Sequence, residues 1–289
     1  MRRVVLGLAG LLLAGCAGGR SVVPVTIGPT ALAAPVDAGR FTDHQSAVRG
    51  IAAILVRDLG LPVPDEITVY VYSSRQVFEQ GLINDGRVSP VRAAELSDFA
   101  VGVGKRRTLL LQQESREAGG REWLRLIAHE LTHVAQIELA QGEGRAAQWL
   151  AEGMAEWAAF SVLERLSLDT LAERRRAALA GARGQTALKA GRLDLATLDT
   201  PRGFTRRHLR EGSVATYQLA FLMTDYLITR DGFGRVLDYF RSFATGDDRG
   251  QSFGQAFGQS LAEFEVEILG HLQGQIQGQV QGQVPGQLQ

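Results

Sequence analysis

The stretch from Arg121 to Gln141, REWLRLIAHELTHVAQIELAQ, constrains this chain most, because it sets two histidines inside an apolar helical pattern. His129 and His133 are four residues apart, and side chains at that spacing lie on one face of an α-helix. Both imidazoles can therefore reach one ion. Zn²⁺ suits neutral imidazole nitrogens, and a catalytic zinc site needs a third protein ligand and an open position for water. The pattern predicts a third ligand downstream.

The downstream segment QWLAEGMAEWAAF, residues 148–160, offers Glu152 as that ligand, with 18 residues between His133 and Glu152. Glu156 follows four residues later on the same helical face. Its carboxylate can accept the free N–H of a ligating histidine and so fix the tautomer of that histidine. Glu130 lies beside His129 and is the predicted general base, because a carboxylate there can take a proton from the attacking water. Together these residues predict a catalytic zinc centre.

These motifs resemble those of the gluzincins, zinc peptidases in which an HExxH helix is followed by a helix that bears a glutamate ligand. The 18-residue gap is similar to that of their aminopeptidase-like branch, and WLAEGMAEW resembles the EGxAE helix of bacterial peptidase-MA-like domains. The resemblance covers about Ile67 to Leu272. It implies an α+β, zincin-like fold with a small antiparallel or mixed sheet, an HExxH active-site helix and a C-terminal helical part.

The same resemblance implies that one strand of the sheet runs along the cleft and accepts the substrate as an added strand. The sequence has no counterpart of the GxMEN motif by which aminopeptidases of that branch hold the amino terminus of a substrate. The ligand spacing and this missing motif therefore leave both exopeptidase and endopeptidase action open.

The segment from Val214 to Ile228 is apolar almost all round and predicts a buried helix. The pattern VATYQLAFLMTDYLITRDGFGRVLDYF resembles the C-terminal part of peptidase-MA-like domains, where a tyrosine near the start of this helix faces the zinc. Tyr217 is therefore the predicted catalytic donor to the oxyanion of the tetrahedral intermediate. His208 is the alternative donor, and a packing role for Tyr217 also stays open.

The first sixteen residues predict export and lipidation. Two arginines precede an apolar run from Val4 to Leu13, which is shorter than the ~20 residues of a membrane span and is typical of a signal peptide. LAGC, ending at Cys16, resembles the bacterial lipobox, which implies a lipid anchor at that cysteine. Cys16 is the only cysteine of the chain. An ordinary signal peptide with an incidental cysteine is the alternative, and Ala17 favours the periplasmic side of the outer membrane if the host is Gram-negative.

Composition predicts four parts along the chain. They are a lipoprotein signal peptide (1–15), a flexible tether (16–40), a gluzincin-like metallopeptidase domain (41–272) and a disordered Gly/Gln-rich tail (273–289). The tether prediction rests on a Gly-, Pro-, Val- and Ala-rich segment with hardly any charge. The tail consists of the tetrads GQIQ, GQVQ, GQVP and GQLQ. Equal numbers of basic and acidic residues, 31 of each, leave no basic patch typical of nucleic-acid binding.

Periodicity and turn residues predict the elements of the domain. The predicted helices cover 41–59, 75–96 in two pieces, 171–182, 214–228, 233–243 and 261–272. The predicted strands cover 67–72, 99–103 and 108–112, the last two as a hairpin. Residues 183–211 are predicted to be irregular.

The sequence thus predicts an exported, membrane-anchored zinc peptidase that hydrolyses peptide bonds in a peptide or protein substrate. Three alternatives stay open. One is a zinc amidohydrolase acting on cell-wall peptides, which would cut muropeptides but not proteins. Another is a non-catalytic gluzincin-fold lipoprotein used in envelope assembly, although metal binding alone does not require Glu130. The last is a purely structural zinc, for which the sequence offers no cysteine ligand in the exported domain.

Overall fold

The structure, a computed structural model, describes residues 19–113 and 120–281. The predicted signal peptide (1–15), the predicted lipidation site Cys16 and the end of the predicted tail (282–289) lie outside the described residues. Within the described part of the chain, no helix combines the length and the hydropathy needed to cross a membrane.

A mixed sheet of four strands forms one layer of the molecule. The strands are β1 (Arg20–Thr26), β2 (Glu66–Tyr72), β3 (Gly102–Lys105) and β4 (Thr108–Gln112), and their order in the sheet is β1-β2-β4-β3. β2 runs parallel to β4, whereas β1 and β3 run antiparallel to their neighbours. The predicted α+β class with a small mixed sheet is confirmed. β3 lies at an edge and keeps one side free for other contacts.

Helices make up most of the remaining described residues, and most of them follow the sheet along the chain. In chain order they are α1 (Pro29–Ala33), α2 (His44–Leu59), α3 (Arg75–Asn84), α4 (Pro90–Ser97), α5 (Gly120–Ala140), α6 (Gln148–Arg165), α7 (Leu171–Ala182), α8 (Thr186–Lys189), α9 (Leu195–Leu198), α10 (Pro201–Glu211), α11 (Ser213–Asp231), α12 (Phe233–Ser242), α13 (Arg249–Phe257) and α14 (Leu261–Gln281). A short 3₁₀ helix covers Ala38–Arg40.

The predicted flexible tether was wrong over residues 20–40. β1 pairs with β2 along its whole length, and Val25 and Ile27 are each 1% exposed. The alternation of Val23, Val25 and Ile27 is a strand signal, and Pro24 is tolerated because β1 is an edge strand with one side free of ladder hydrogen bonds. The folded domain therefore begins at least twenty residues before the predicted boundary at 41.

The predicted disordered tail was also wrong over residues 273–281, which continue α14 to Gln281. Two contacts explain the extension: Gln273 Nε2 donates to Leu188 O at 3.2 Å, and Ile276 packs against the core. Packing thus outweighs the low helix propensity of glycine in this segment.

Residues 183–211, predicted to be irregular, contain α8, α9 and α10. α10 begins with a standard signal, because Thr200 accepts a hydrogen bond from Gly203 N and Pro201 occupies the first turn. The predicted first hairpin strand also begins later than expected, at Gly102. Backbone bonds from Phe99 N and Ala100 N to Leu96 O close α4 before the strand can start.

The core lies where α5 and α6 cross between the sheet and the C-terminal helices. Ile127, Leu131 and Val134 of α5 are fully buried, as are Trp149 and Met154 of α6. α11 packs closely along α6. This layering holds α5 rigidly on the sheet side and α6 on the side of the later helices.

Candidate metal centre

The predicted metal ligands lie together between α5 and α6. α5 presents His129 and His133 toward α6, and α6 presents Glu152 and Glu156 toward α5. His129, Glu152 and Glu156 are only 7–8% exposed. Since isolated charges are strongly destabilising when buried, this cluster requires internal compensation.

Three ligand atoms form a small triangle at the centre of the cluster. The distance from His129 Nε2 to His133 Nε2 is 3.1 Å, and Glu152 Oε2 lies 3.3 Å from the first nitrogen and 3.5 Å from the second. A tetrahedral ion with bonds of about 2.0–2.1 Å separates its ligand atoms by about 3.3–3.4 Å. Among the described residues, buried Glu152 Oε2 has no hydrogen-bond donor. The group can therefore hold a metal ion.

Gln136 orients His133, a role that the sequence analysis missed. His133 Nδ1 lies 2.9 Å from Gln136 Oε1, and Gln136 Nε2 donates to Ala151 O at 2.8 Å. Because the amide nitrogen is committed to a carbonyl, the amide oxygen faces the ring and Nδ1 carries the proton. His133 Nε2 is then free to bind a metal. The signal was available, since Gln136 follows His133 by three residues on one helix.

Glu156 and Arg125 flank His129. His129 Nδ1 lies 3.1 Å from Glu156 Oε1, a contact too bent to count as a full hydrogen bond, and Arg125 Nη1 donates to the same oxygen at 2.7 Å. Glu156 thus lies where the sequence predicts a carboxylate behind a ligand. Arg125, four residues before His129, was missed although its spacing places it on the same face.

Gln148 holds the other oxygen of the predicted glutamate ligand. Its Nε2 donates to Glu152 Oε1 at 2.7 Å, which leaves Oε2 directed at the two histidines. Gln148 precedes Glu152 by four residues, the usual spacing of neighbours on a helix. Each of the three ligand atoms is therefore oriented by a contact at the opposite atom of its own ring or carboxylate.

The carboxylates of Glu152 and Glu156 favour a positive charge between themselves and the histidine rings. Burial lowers the pKa of His129, but the nearby carboxylates of Glu152, Glu156 and Glu130 together outweigh burial and raise the pKa to about 10. Burial raises the pKa of Glu152, but the two histidines outweigh it and hold this pKa well below its usual range. A bound proton supplies this positive charge when no cation is present, and a metal ion would displace that proton.

Glu130 lies beside the triangle without belonging to it. Its Oε2 accepts a hydrogen bond from Gly104 N at 2.7 Å, and its side chain is 5% exposed. Because Gly104 N donates to Glu130 and not to β4, the backbone groups of this residue face the free side of β3. A Cβ on Gly104 would lie 2.3 Å from Glu130 O, so glycine permits this close approach of strand and helix.

Tyr217 of α11 lies next to His129, whereas His208 of α10 lies behind the Tyr217 ring. The Tyr217 ring lies 6.1 Å from the His129 ring, and burial together with three nearby carboxylates raises the pKa of Tyr217 well above its ordinary value. The hydroxyl therefore keeps its proton and can donate. His208 packs on Phe99 at 4.4 Å and lies 6.3 Å from Tyr217, and burial lowers its pKa despite the charge of Glu152.

Two cavities flank the centre, with volumes of about 330 and 260 Å³. Both are lined by His129, Glu130 and Tyr217. The larger cavity continues toward the start of α5 and is walled by α7 and α11. The smaller cavity continues toward the end of α5 and is walled by α10. His208 lines neither of these two cavities, so Tyr217 is the better placed of the two predicted donors.

The chain was compared with models of protein families, with curated proteins and with solved structures, and none of the three comparisons finds a match.

Proposed function

We propose that this chain is a zinc-dependent peptidase with a zincin-like, gluzincin-type domain. One observation carries the proposal: His129, His133 and Glu152 converge with ligand-atom separations of 3.1–3.5 Å while a separate carboxylate, Glu130, lies beside them. A site meant only to hold a metal has no need of that extra carboxylate. The mixed sheet, the buried HExxH helix and the helical C-terminal part support the same fold type.

The donor set favours zinc. Two imidazole nitrogens and one carboxylate oxygen are a common catalytic zinc set, and the small, nearly equilateral triangle suits tetrahedral geometry. Hard cations such as Ca²⁺ and Mg²⁺ prefer oxygen ligands only. When bound, zinc lowers the pKa of its water to about 7 and polarises a carbonyl group of the substrate.

The residues of the chain then have distinct roles. Glu130 takes the proton of the attacking water and passes it to the leaving amine, and the hydrogen bond from Gly104 N holds its carboxylate in place. Tyr217 donates its hydroxyl proton in a hydrogen bond to the oxyanion that develops on the substrate. Gln136, Gln148 and Glu156 keep the ligands in position.

The cellular setting belongs to the same proposal. The signal peptide and the lipobox-like LAGC support an exported protein held on the cell envelope through a lipid at Cys16. The substrate would then be a peptide or protein outside the cytoplasm.

Metal analysis and peptide assays on the full chain test the proposal. We expect one zinc per chain, cleavage of a mixed peptide library, and a loss of about 10³-fold or more in kcat/KM for Glu130→Gln with zinc retained. Glu66→Gln, on an exposed surface glutamate, is the matched control and should behave as the natural chain. A chain that binds zinc but leaves every peptide intact would contradict the proposal and favour a role in envelope assembly.

A further inference from the structure

We propose that the centre cuts within a polypeptide chain and not at its ends, an inference that rests on the peptidase function proposed above. The ligand spacing resembles that of aminopeptidases, so the spacing alone favours the opposite outcome. Three features of the structure carry the inference: the extent of the cleft, the free edge of β3 and the charge pairing of the cleft walls.

The cleft continues on both sides of the reacting centre. The larger cavity includes Arg125 and Leu126 of α5, and the smaller one reaches Ala140 near the other end of the same helix. With a rise of about 1.5 Å per residue, the distance from Arg125 to Ala140 is about 22 Å. An extended peptide advances about 3.3 Å per residue, so six or seven residues fit along this length. Exopeptidases, by contrast, need one closed side.

The free edge of β3 borders the two cavities at the point where they meet. Gly102 lines both cavities, and Gly104 lines the smaller one. Gly104 N points away from β4 and is occupied by Glu130 Oε2, whereas the alternation of an antiparallel strand places the N–H and C=O groups of Gly102 on the same side, where a peptide can pair with them. A peptide that pairs with this edge is held by its backbone, so its side chains enter the cavities and its ends stay free.

Every carboxylate among the described residues that line the cleft already has a partner or a place in the centre. Among the described residues that line the cavities, Glu122 and Glu156 both accept hydrogen bonds from Arg125, and Glu143 pairs with Lys105. Glu130 and Glu152 are committed to the centre itself. An ammonium group would have to compete with the arginine or lysine that already pairs with each of the other three carboxylates.

Each described cation of the cleft walls also has an acidic partner, with which a substrate carboxyl terminus would have to compete. Arg125 holds two carboxylates, and the remaining arginines have partners of their own. These pairs are Arg174 with Asp169, Arg92 with Glu95, and Arg145 with Asp247. A cleft that extends to both sides of the centre, and whose described charges are already paired, favours cleavage of internal bonds.

Peptides with blocked ends test this inference on the zinc-loaded full chain. The probe is a peptide of about twelve residues, longer than the stretch that the cleft holds, prepared with free ends and as its N-acetylated, C-amidated and doubly blocked forms. We expect kcat/KM values within about threefold of one another, since blocking removes no recognised charge. Mass spectrometry should place the first cut at an internal bond.

A loss of about 100-fold or more on blocking either end, or release of single residues from one end, would overturn the inference while leaving the peptidase function intact. Failure to cut any form, free ends included, would overturn the peptidase function as well. These two failures are therefore distinguishable from the same assay.

Two cavity-filling variants give a second readout. Ser213→Trp narrows the larger cavity and Thr205→Trp narrows the smaller one, and neither residue is a predicted metal ligand. We expect each to lower kcat/KM for the doubly blocked peptide about tenfold or more without a change in zinc content. Gln255→Trp, on the exposed side of α13, is the control. A chain that responds to only one of the two cavity variants has a one-sided site, which contradicts internal cleavage.

Discussion

At the scale of single residues, the centre depends on side chains that do not themselves touch a metal. Gln136, Gln148 and Glu156 each hold the far side of a ligand, and two of the three are neutral amides. Neutral partners fix orientation without adding charge to a cluster that already contains buried carboxylates. The affinity of the site for zinc is therefore set partly by residues that a ligand motif does not include.

Gln136→Leu should weaken zinc binding by about 10–100-fold, because His133 Nδ1 loses its acceptor and the ring loses its fixed tautomer. Competition with a fluorescent zinc chelator measures the affinity. Gln255→Leu, on an exposed glutamine of α13, is the matched control. An unchanged affinity for Gln136→Leu would show that the ring is held by packing alone.

Asp199 gives a pH-dependent prediction away from the centre. Burial raises the pKa of Asp199 to about 6, although a hydrogen bond from Trp149 Nε1 and the charge of Arg249 oppose this. Since the unfolded pKa is near 3.9, the folded state loses stability as the pH rises from about 4 through 6. Asp199→Asn keeps an acceptor for Trp149 and cannot ionise, so it should be about 1–2 kcal/mol more stable than the natural chain at pH 8.

Urea unfolding of both chains at pH 4 and pH 8 measures this effect, and the gain should vanish at pH 4, where both side chains are neutral. Asp65→Asn, on an exposed aspartate, controls for general changes in net charge. A gain of equal size at both pH values would mean that ionisation of Asp199 is not its cause.

At the scale of elements, the contact between α6 and α11 decides whether Tyr217 reaches the centre. A Cβ on Gly153 would lie 2.3 Å from Ala220 O and 2.1 Å from Thr224 Oγ1. The glycine that follows Glu152 therefore serves helix packing. It lets α11 approach α6 closely enough to place the Tyr217 ring 6.1 Å from the His129 ring.

Gly153→Ala should separate α6 from α11, because one of the clashing atoms belongs to the backbone and cannot rotate away. We expect a loss of about 1–3 kcal/mol in the free energy of unfolding and a larger fall in peptidase activity than in zinc content. Gly270→Ala, where a Cβ meets no atom within 4 Å, should instead be neutral or gain up to about 1 kcal/mol. Equal behaviour of the two variants in urea unfolding would contradict this account.

At the scale of the whole molecule, a bound metal would tie together the two helices at the centre of the core. α5 packs on the sheet and on α2, while α6 packs on α11, so an ion between α5 and α6 links the two layers. Without the ion, α5 and α6 are still joined by direct packing and by the hydrogen bonds of Gln136 and Arg125, and the ion would add to these contacts. Metal removal should therefore affect the stability of the entire domain.

Zinc in thousandfold excess over its Kd should stabilise the fold by about 4 kcal/mol, which for a domain of this size raises Tm by roughly 10 °C. Differential scanning calorimetry with and without a chelator measures the change. His133→Ala serves as the control, because its Tm should not respond to zinc or to the chelator. A natural chain whose Tm is equally insensitive would contradict a metal link between α5 and α6.

Much of the candidate metal centre could be predicted from the spacing of residues along single helices. His129 and His133 share one face of a helix whatever the tertiary structure is. Glu152 shares a helical face with Gln148 and Glu156 for the same reason. Helical periodicity also predicted α5 and α11, and alternation predicted β2. The α+β class was implied by the resemblance to gluzincins, and the mixed sheet with its helices confirms the class.

Tertiary structure alone decided which separate elements meet. The spacing of Glu152 from His133 did not show that their ligand atoms lie 3.5 Å apart, and the contact of Gly104 with Glu130 joins elements through backbone atoms that carry no sequence signal. The C-terminal extension of α14 was mispredicted because its weak helix propensity was outweighed by burial against distant residues, whereas β1 was mispredicted because the composition of its segment was weighed above its alternating valines. Periodicity acts over a few residues, whereas packing free energy depends on partners far along the chain.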